Sequence, residues 1–546
     1  MNSPMQTLRW LGAGETRWAR AVGILAVMLV AGAVRLWAMK YAYPAPMDVV
    51  HYVQSAVELA HGNSGAWNVI YPPASQALAF LAEKHGWSSA YVLQGLSVFC
   101  SVAGIVVAML LAYRLFGAWP HAWLTGLFLA TNPTFTYYSV NGYSDVVYAF
   151  FLLLACWCAV LWFARDGGWP MAAAAFGALG LGGLFRMDES QVVALLLAGG
   201  MLGWTVRQRS PARLRALVVG GLVFAAVVSP VYVMTYKTTG RLTPGVKFTY
   251  AFAMGDSFYD SKEFNAIRPP YRERMEEFRQ AGLIGYLWSH RAEVSARWVR
   301  NLARLTRTAG DTLFTGTFRA GPGWLAVFLA GTAWMAARRR AFMGWGVCLA
   351  VLALQFTLIS FFMAQARYLV PSMAFAFMLF ADAGVRLFGL LGEGKAWRIL
   401  AAAMVLTFGI KSAAGSIAYV DETDWYYHNG VKVGEALRRH GGENDVLMTP
   451  QYCVALGFYD EHPLRMVKLG YGTIEETEAY ADKAGVDLVA LTDSVFAHWP
   501  IGGLFRSEAP PAGWKLLDEI VFTRDSRYGV VKERYLLFRR ERPARR

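Results

Sequence analysis

Residues 20–62, RAVGILAVMLVAGAVRLWAMKYAYPAPMDVVHYVQSAVELAHG, decide the fold. Arg9, Arg17 and Arg20 precede an apolar run over 21–39 that is nearly a full membrane span. A signal peptide has a shorter core and a small-residue cleavage site, so the run predicts a retained first helix that starts in the cytoplasm. A different period then begins. Val49, Tyr52, Val53, Ala56 and Leu59/Ala60 recur on one helical face, with Asp48 where an N-cap belongs and Gly62 where a C-cap belongs. A short amphipathic helix straight after a first span is an element of the membrane surface.

Outward from this stretch the pattern repeats. Of 546 residues, 56% are hydrophobic and 16% charged, against about 25% charged in a soluble domain. That excludes an ordinary cytosolic enzyme, a disordered chain and a nucleic-acid binder. Apolar runs predict eleven spans, at 21–39, 91–113, 119–137, 145–164, 170–186, 190–206, 216–236, 323–337, 342–362, 368–388 and 398–418. The net charge of +14 gathers on one side. Connections assigned to the cytoplasm hold Arg114, Arg165, Arg207, Arg209, Arg213, Arg215, Arg338–Arg340, Arg386, Lys395 and Arg398; short ones opposite hold only Arg186 and Arg367. The positive-inside rule then predicts a cytoplasmic N-terminus (1–20), a membrane domain over 21–418 in an inner or plasma membrane, and contact with anionic lipid. The five cysteines read as small buried hydrophobes, and no Cys or His cluster has zinc spacing.

Three segments are too polar to cross, and all fall on the external side: loops 40–90 and 237–322, and a tail, 419–546. In the first loop, Tyr71-Pro72-Pro73 starts a second short helix through Leu78, Leu81 and Ala82. In the second, Leu287, Val294, Trp298, Leu302 and Leu305 form an apolar face near 283–308, while Arg297, Arg300, Arg304 and Arg307 form one stripe. Such a helix either anchors to anionic lipid or meets a substrate phosphate. The tail reads as a small external α/β domain, with strands at 445–450, 488–491 and 535–538 and helices at 431–440 and 474–484.

Ionisable residues at span ends are costly, so each is a candidate site. On the external side these are Asp48, Asp145 in Asn141–Asp145, the run Arg186-Met187-Asp188-Glu189, Lys237, and Arg367-Tyr368. Arginines hold phosphate through charge-assisted hydrogen bonds, and a carboxylate accepts a proton from an attacking group. Each also has a plainer use: a helix cap for Asp48 or Asp145, an ion pair for Arg186 and Asp188, and snorkelling for Arg367.

Asp48-x-x-x-Tyr52, the helix end Ala56–Gly62, Tyr71-Pro72-Pro73, "GLFRMDES" and "ARYLVPSMAF", taken in order and with the topology, resemble the GT-C glycosyltransferases. The protein mannosyltransferase-like and aminoarabinose transferase-like branch is the nearest in appearance. Many members carry an acidic pair in the first loop; here Val49 follows Asp48. The resemblance implies a polytopic helical membrane fold of about eleven spans with juxtamembrane helices and a small C-terminal α/β domain.

It also implies a reaction: inverting transfer of a sugar from a polyprenyl-phosphate-sugar to a glycan, lipid or protein acceptor at the external, periplasmic face. By position Asp48 would be the general base. Arg367 and Arg186, with Tyr368 and Lys237, would bind the donor phosphate. Tyr52, Asp145, Asp188 and Glu189 would line the sugar or acceptor pocket. No cofactor and no dedicated metal site is expected, with a carboxylate-bound divalent cation left open. The other readings are an O-antigen ligase or polymerase, kept open by the arginine stripe, and a transporter of lipid or sugar, for which the halves show no repeat.

Overall fold

A computed structural model describes residues 16–42, 47–62, 67, 71–164, 168–240, 277, 280–282, 285–314, 342–361, 365–390, 395–442, 445–449, 465–468, 474–492, 510, 512–526 and 529–541. The expected span 323–337 and Cys453 lie outside them. Two compact units result: Met1–Pro44 with His51–Phe252 and Arg291–Asp421, and Ala45–Val50 with Ala253–His290 and Glu422–Arg546.

The first unit is a helical bundle. Its helices are α1 (Arg17–Ala38), α2 (Met47–Ala60), α3 (Pro73–Lys84), α4 (Ser89–Phe116), α5 (Trp119–Thr131), α6 (Pro133–Val140), α7 (Ser144–Ala164), α8 (Trp169–Gly183), α9 (Met187–Gln208), α10 (Pro211–Thr239), α11 (Arg291–Phe314), α12 (Phe342–Ser360), α13 (Ala366–Leu390) and α14 (Lys395–His440). The first turn of α2 and the last part of α14 belong to the second unit.

Seven described helices are long and apolar enough to cross a membrane, within α1, α4, α7, α9, α10, α13 and α14. The other expected spans inside the described residues are shorter. Gly344–Ser360 lies in α12, α8 has 15 residues, and 119–137 is broken into α5 and α6 at Asn132-Pro133. Burial sorts the crossing helices. The apolar window of α13 is 89% buried and that of α10 only 17%, so α13 is central and α10 turns to lipid. Around this centre α5, α7 and α12 pack on α13, α4 packs on α5 and α7, and α8 lies between α7 and α10.

Two local expectations change. Asp48 is not an N-cap: the helix begins at Met47, which puts Asp48 in the first turn, where the helix dipole still favours a carboxylate. The arginines of α11 do not share one environment. Arg297 is buried on the face of Val294, Asn301 and Leu305, while Arg300, Arg304 and Arg307 are exposed. The buried face packs along α12, where Trp298 Nε1 donates to Thr357 O (3.3 Å) and Asn301 Nδ2 to Ser360 O (3.1 Å).

The second unit is an α/β sandwich. After the end of α14 come β1 (Val446–Thr449), β2 (Arg465–Lys468), α15 (Ile474–Ala484), β3 (Leu488–Thr492), β4 (Trp514–Ser526) and β5 (Gly529–Arg540). The sheet order is β2-β1-β3-β5-β4, with β1 parallel to β2 and β3, and β5 antiparallel to β3 and β4. Val433, Ala436 and Leu437 of α14 cover one face through Leu447, Leu488 and Leu537; Ala481 of α15 covers the other through Met448, Val489 and Phe538. Strands β2 and β4 were not expected from the sequence. Arg465–Lys468 is short, and Trp514–Ser526 is heavily charged.

Candidate active site

The bundle gathers five candidate residues from three distant stretches of the chain. α8 ends at Gly183, and Leu184–Arg186 turn the chain into α9 with Arg186 as its N-cap. That turn places the Arg186 guanidinium between two carboxylates: Nη1 donates to Asp145 Oδ1 in the first turn of α7, and Nη2 to Glu189 Oε1. Asp145 and Glu189 are both under 10% exposed. Tyr368 closes the cluster, its ring centroid 4.7 Å from Arg186 Cζ and 4.8 Å from Arg367 Cζ. Arg367 Nη2 also donates to the Tyr368 hydroxyl (2.9 Å). Burial acts to lower the Arg186 pKa, but Glu189 and Asp145 outweigh it and hold the guanidinium above its ordinary value.

Asp145 arrives here through the Asn141–Asp145 turn. Gly142 has φ +71°, a left-handed conformation natural to glycine, and a Cβ there would stand 3.3 Å from Gln94 N. Gln94 Nε2 donates to Val140 O (2.6 Å), and Ser97 Oγ to Tyr138 O (3.2 Å), so α4 grips the turn.

The first loop meets the same region. Ala74 N, in the first turn of α3, donates to Leu184 O (3.2 Å), and Gln76 Nε2 to Tyr71 O (3.0 Å). Tyr71 in turn stacks on His51 (centroids 4.8 Å apart) and meets the buried Tyr52 edge-on (5.7 Å). Tyr52 thus lies against the Tyr71-Pro72-Pro73 segment that is bonded to the Arg186 turn. Asp48 is half-buried, one helical turn before Tyr52 on α2. Lys237 is exposed in the last turn of α10, and none of the contacts that build the cluster involves it. The Asp188 side chain lies outside the described residues.

Two members were missed. Gln355 Nε2 donates to Glu189 Oε2 (3.1 Å) and to Tyr368 O (2.8 Å), bridging α9 and α13. Tyr148, one turn beyond Asp145, is fully buried, and its hydroxyl has no hydrogen-bond partner among the described residues. Gln355 carried a readable signal, a lone amide inside the apolar run LALQFTLIS. Tyr148 carried none, because a tyrosine in a span is ordinarily core.

Beside the cluster is an apolar cavity of about 340 Å³ between α11, α12 and α13. Thr306, Leu313, Phe356, Leu369, Ala376 and Phe380 are among its lining residues. Two of its lining residues, Phe356 and Leu369, are the chain neighbours of Gln355 and Tyr368. The arrangement suits a molecule with an anionic head and a long hydrocarbon tail.

Residues 76–234 match the family described as dolichyl-phosphate-mannose-protein mannosyltransferase. Among solved structures, the chain is similar to ArnT from Cupriavidus metallidurans bound to undecaprenyl phosphate, with TM-score 0.53 and 15% identity over 96% of this chain and 98% of that one. It is also similar to the Archaeoglobus fulgidus oligosaccharyltransferase in the apo form, with TM-score 0.54 and 13% identity over 88% of this chain and 71% of that one. No curated protein sequence matches. The fold is that of the GT-C membrane glycosyltransferases, as the ordered motifs of the sequence had implied.

Proposed function

We propose that the protein is an inverting glycosyltransferase that moves a sugar from a polyprenyl-phosphate-sugar to an acceptor at the external face of the membrane. The observation that carries this reading is the pair of guanidinium groups, Arg186 and Arg367, on the ring of Tyr368, whose neighbour Leu369 lines an apolar cavity. A polyprenyl chain fills such a slot, and its phosphate meets fixed positive charge. The match to ArnT, solved with undecaprenyl phosphate, supports the same class of donor.

In this reading the acceptor hydroxyl attacks the anomeric carbon from the face opposite the phosphate. Asp48 takes the hydroxyl proton, the C–O bond to phosphate breaks, and the polyprenyl phosphate leaves with the electron pair. Arg367 binds that phosphate and offsets the charge that grows on it, while Arg186, bonded to Asp145 and Glu189, holds the Tyr368 ring against Arg367. Guanidinium neutralisation removes the need for an acid on the leaving group. Tyr52 contributes to the sugar or acceptor pocket.

The test is direct. Purified protein in nanodiscs is given a panel of polyprenyl-phosphate sugars, and polyprenyl phosphate release is measured. Release with one sugar and not the others is expected. No release and no binding of any donor would remove the proposal.

A further inference from the structure

The crossing made by α5 and α6 is broken at Asn132-Pro133, inside the bundle. Pro133 has no N–H for Leu129 O, and it pushes Asn132 into an extended conformation (φ −70°, ψ 127°). The Phe135 N–H then goes to Asn132 Oδ1 (2.7 Å) instead of to Thr131 O, and the ladder restarts with Thr136 N to Asn132 O (2.9 Å). The carbonyls of Leu129, Ala130 and Thr131 are left to side chains. In a membrane no water reaches them, so each needs a donor from the protein.

Those donors come from other helices. Ser412 and Ser416 of α14 both donate to Thr131 O (2.7 Å each). Arg35 of α1 serves the other two, Nη1 to Ala130 O (2.9 Å) and Nη2 to Leu129 O (3.2 Å). Its remaining bonds go to Ala31 O (3.2 Å) and, from Nε, to Ser101 Oγ (2.7 Å). Arg35 is 0% exposed, and among the described residues all its hydrogen bonds end on uncharged oxygens. A buried guanidinium of this kind is expensive, and a helix that simply needed to cross would avoid it by omitting the proline.

What the break achieves lies further along α6. Ser101, bonded to Arg35, also accepts from Ser139 Oγ (2.8 Å). Ser101, Ser97 and Gln94 lie on one face of α4, and the last two hold the carbonyls of Tyr138 and Val140 just before the Asn141–Asp145 turn. One polar stripe therefore runs from Arg35 to the turn that delivers Asp145 to Arg186.

We propose that Arg35 is a positioning residue. It holds the α5–α6 break open, and the angle of α6 that results sets Asp145 against Arg186. The proposal rests on the glycosyl transfer assigned above for its catalytic readout, though its structural readouts do not.

The experiment compares wild type, Arg35→Leu, Pro133→Ala and the double variant in nanodiscs. Arg35→Leu alone lowers the Tm, since two carbonyls lose their donors. In the double variant the Pro133→Ala change restores an N–H, the helix closes over its own carbonyls, and the Tm recovers. Transfer from the polyprenyl-phosphate-sugar stays about 10²-fold below wild type, because Asp145 is no longer placed. Amide hydrogen exchange should show protection gained at 133–136 and lost at 141–145. A double variant that regains both Tm and turnover would make Arg35 structural only. One that fails to regain Tm would overturn the carbonyl-capping role. Should wild type neither bind nor turn over any donor, the assigned function fails, while Tm and exchange at 141–145 still decide the role of Arg35.

Discussion

The Arg186 guanidinium is paired with the carboxylate of Asp145, 41 residues earlier in the chain, across the junction of α7 with the α8–α9 turn. Both side chains are largely buried, and Glu189 takes the other end of the guanidinium. Breaking a buried pair by removing one partner costs about 3–5 kcal/mol, because the remaining charge is left without compensation. Arg186→Gln strands two carboxylates and should destabilise the protein by about that amount. Asp145→Asn leaves Arg186 still bonded to Glu189, and the loss should be smaller. Chemical denaturation of both variants in detergent measures the difference; equal losses would mean that Glu189 contributes nothing to the pair.

The same pair predicts a pH behaviour. The Arg186 pKa is raised above its ordinary value. A raised pKa gives stability that is complete below the unfolded value and is lost only as pH rises through the folded one. The Arg186 contribution is therefore constant over any pH at which the bilayer and the fold survive. Between wild type and Arg186→Gln, followed from about pH 6 to about pH 10 (well under the ordinary arginine value), the stability gap should not narrow as pH rises, because the stranded carboxylates of the variant are eased only by taking up protons at the acid end. A gap that narrows toward alkaline pH would contradict the geometry.

Gln355 is a bridge rather than a filler. Its amide joins Glu189 on α9 to the backbone of Tyr368 at the head of α13. Gln355→Leu keeps the volume and removes both bonds, at a cost of about 1–3 kcal/mol for the stranded acceptors. Tyr368 then loses a restraint, and Arg367 with it. A rise in KM for the lipid donor with unchanged acceptor KM is expected in steady-state transfer assays. An unchanged donor KM would leave Gln355 with packing alone.

Asp48→Asn should lower transfer by about 10²–10⁴-fold, the usual loss for a general base, while binding of polyprenyl phosphate persists. Turnover and lipid binding measured on the same preparation separate the two. Full turnover in Asp48→Asn would return Asp48 to a helix-dipole role in the first turn of α2.

Much of this was legible in the chain. Spans α1, α4, α7, α10 and α13 follow from run length alone, and the ordered motifs already pointed to the GT-C fold. Arg186, Asp145, Glu189, Arg367 and Tyr368 stood out because ionisable residues at span ends are costly. What sequence could not supply was partnership. Arg186 pairs with Asp145, a choice set by the packing of α7 on α8 and unrelated to spacing. The break in 119–137 was hidden because the run stays apolar across Asn132-Pro133, and Arg35 passed as part of a span although its charge was visible. The stripe of arginines on α11 was misread for a related reason. Helical spacing places Arg297 with its neighbours, but Arg297 is buried where Arg300, Arg304 and Arg307 are exposed.

The apolar slot supplies the remaining prediction. Ala376 of α13 lines it about two turns along from Leu369, the lining residue next to Tyr368. Ala376→Phe would fill part of the slot without touching the guanidinium pair. Each buried methylene of a lipid chain is worth about 0.8 kcal/mol, so a blocked slot forfeits affinity only for donors long enough to reach it. A donor whose chain ends before Ala376 should be used by Ala376→Phe as by wild type, whereas full-length polyprenyl donors should show a raised KM with kcat retained. Arg367→Ala should do the opposite and weaken every donor alike, because all of them carry the same phosphate. The two variants assayed against a chain-length series therefore tell the head site from the tail site. Equal losses for short and long donors in Ala376→Phe would mean that the lipid chain runs elsewhere.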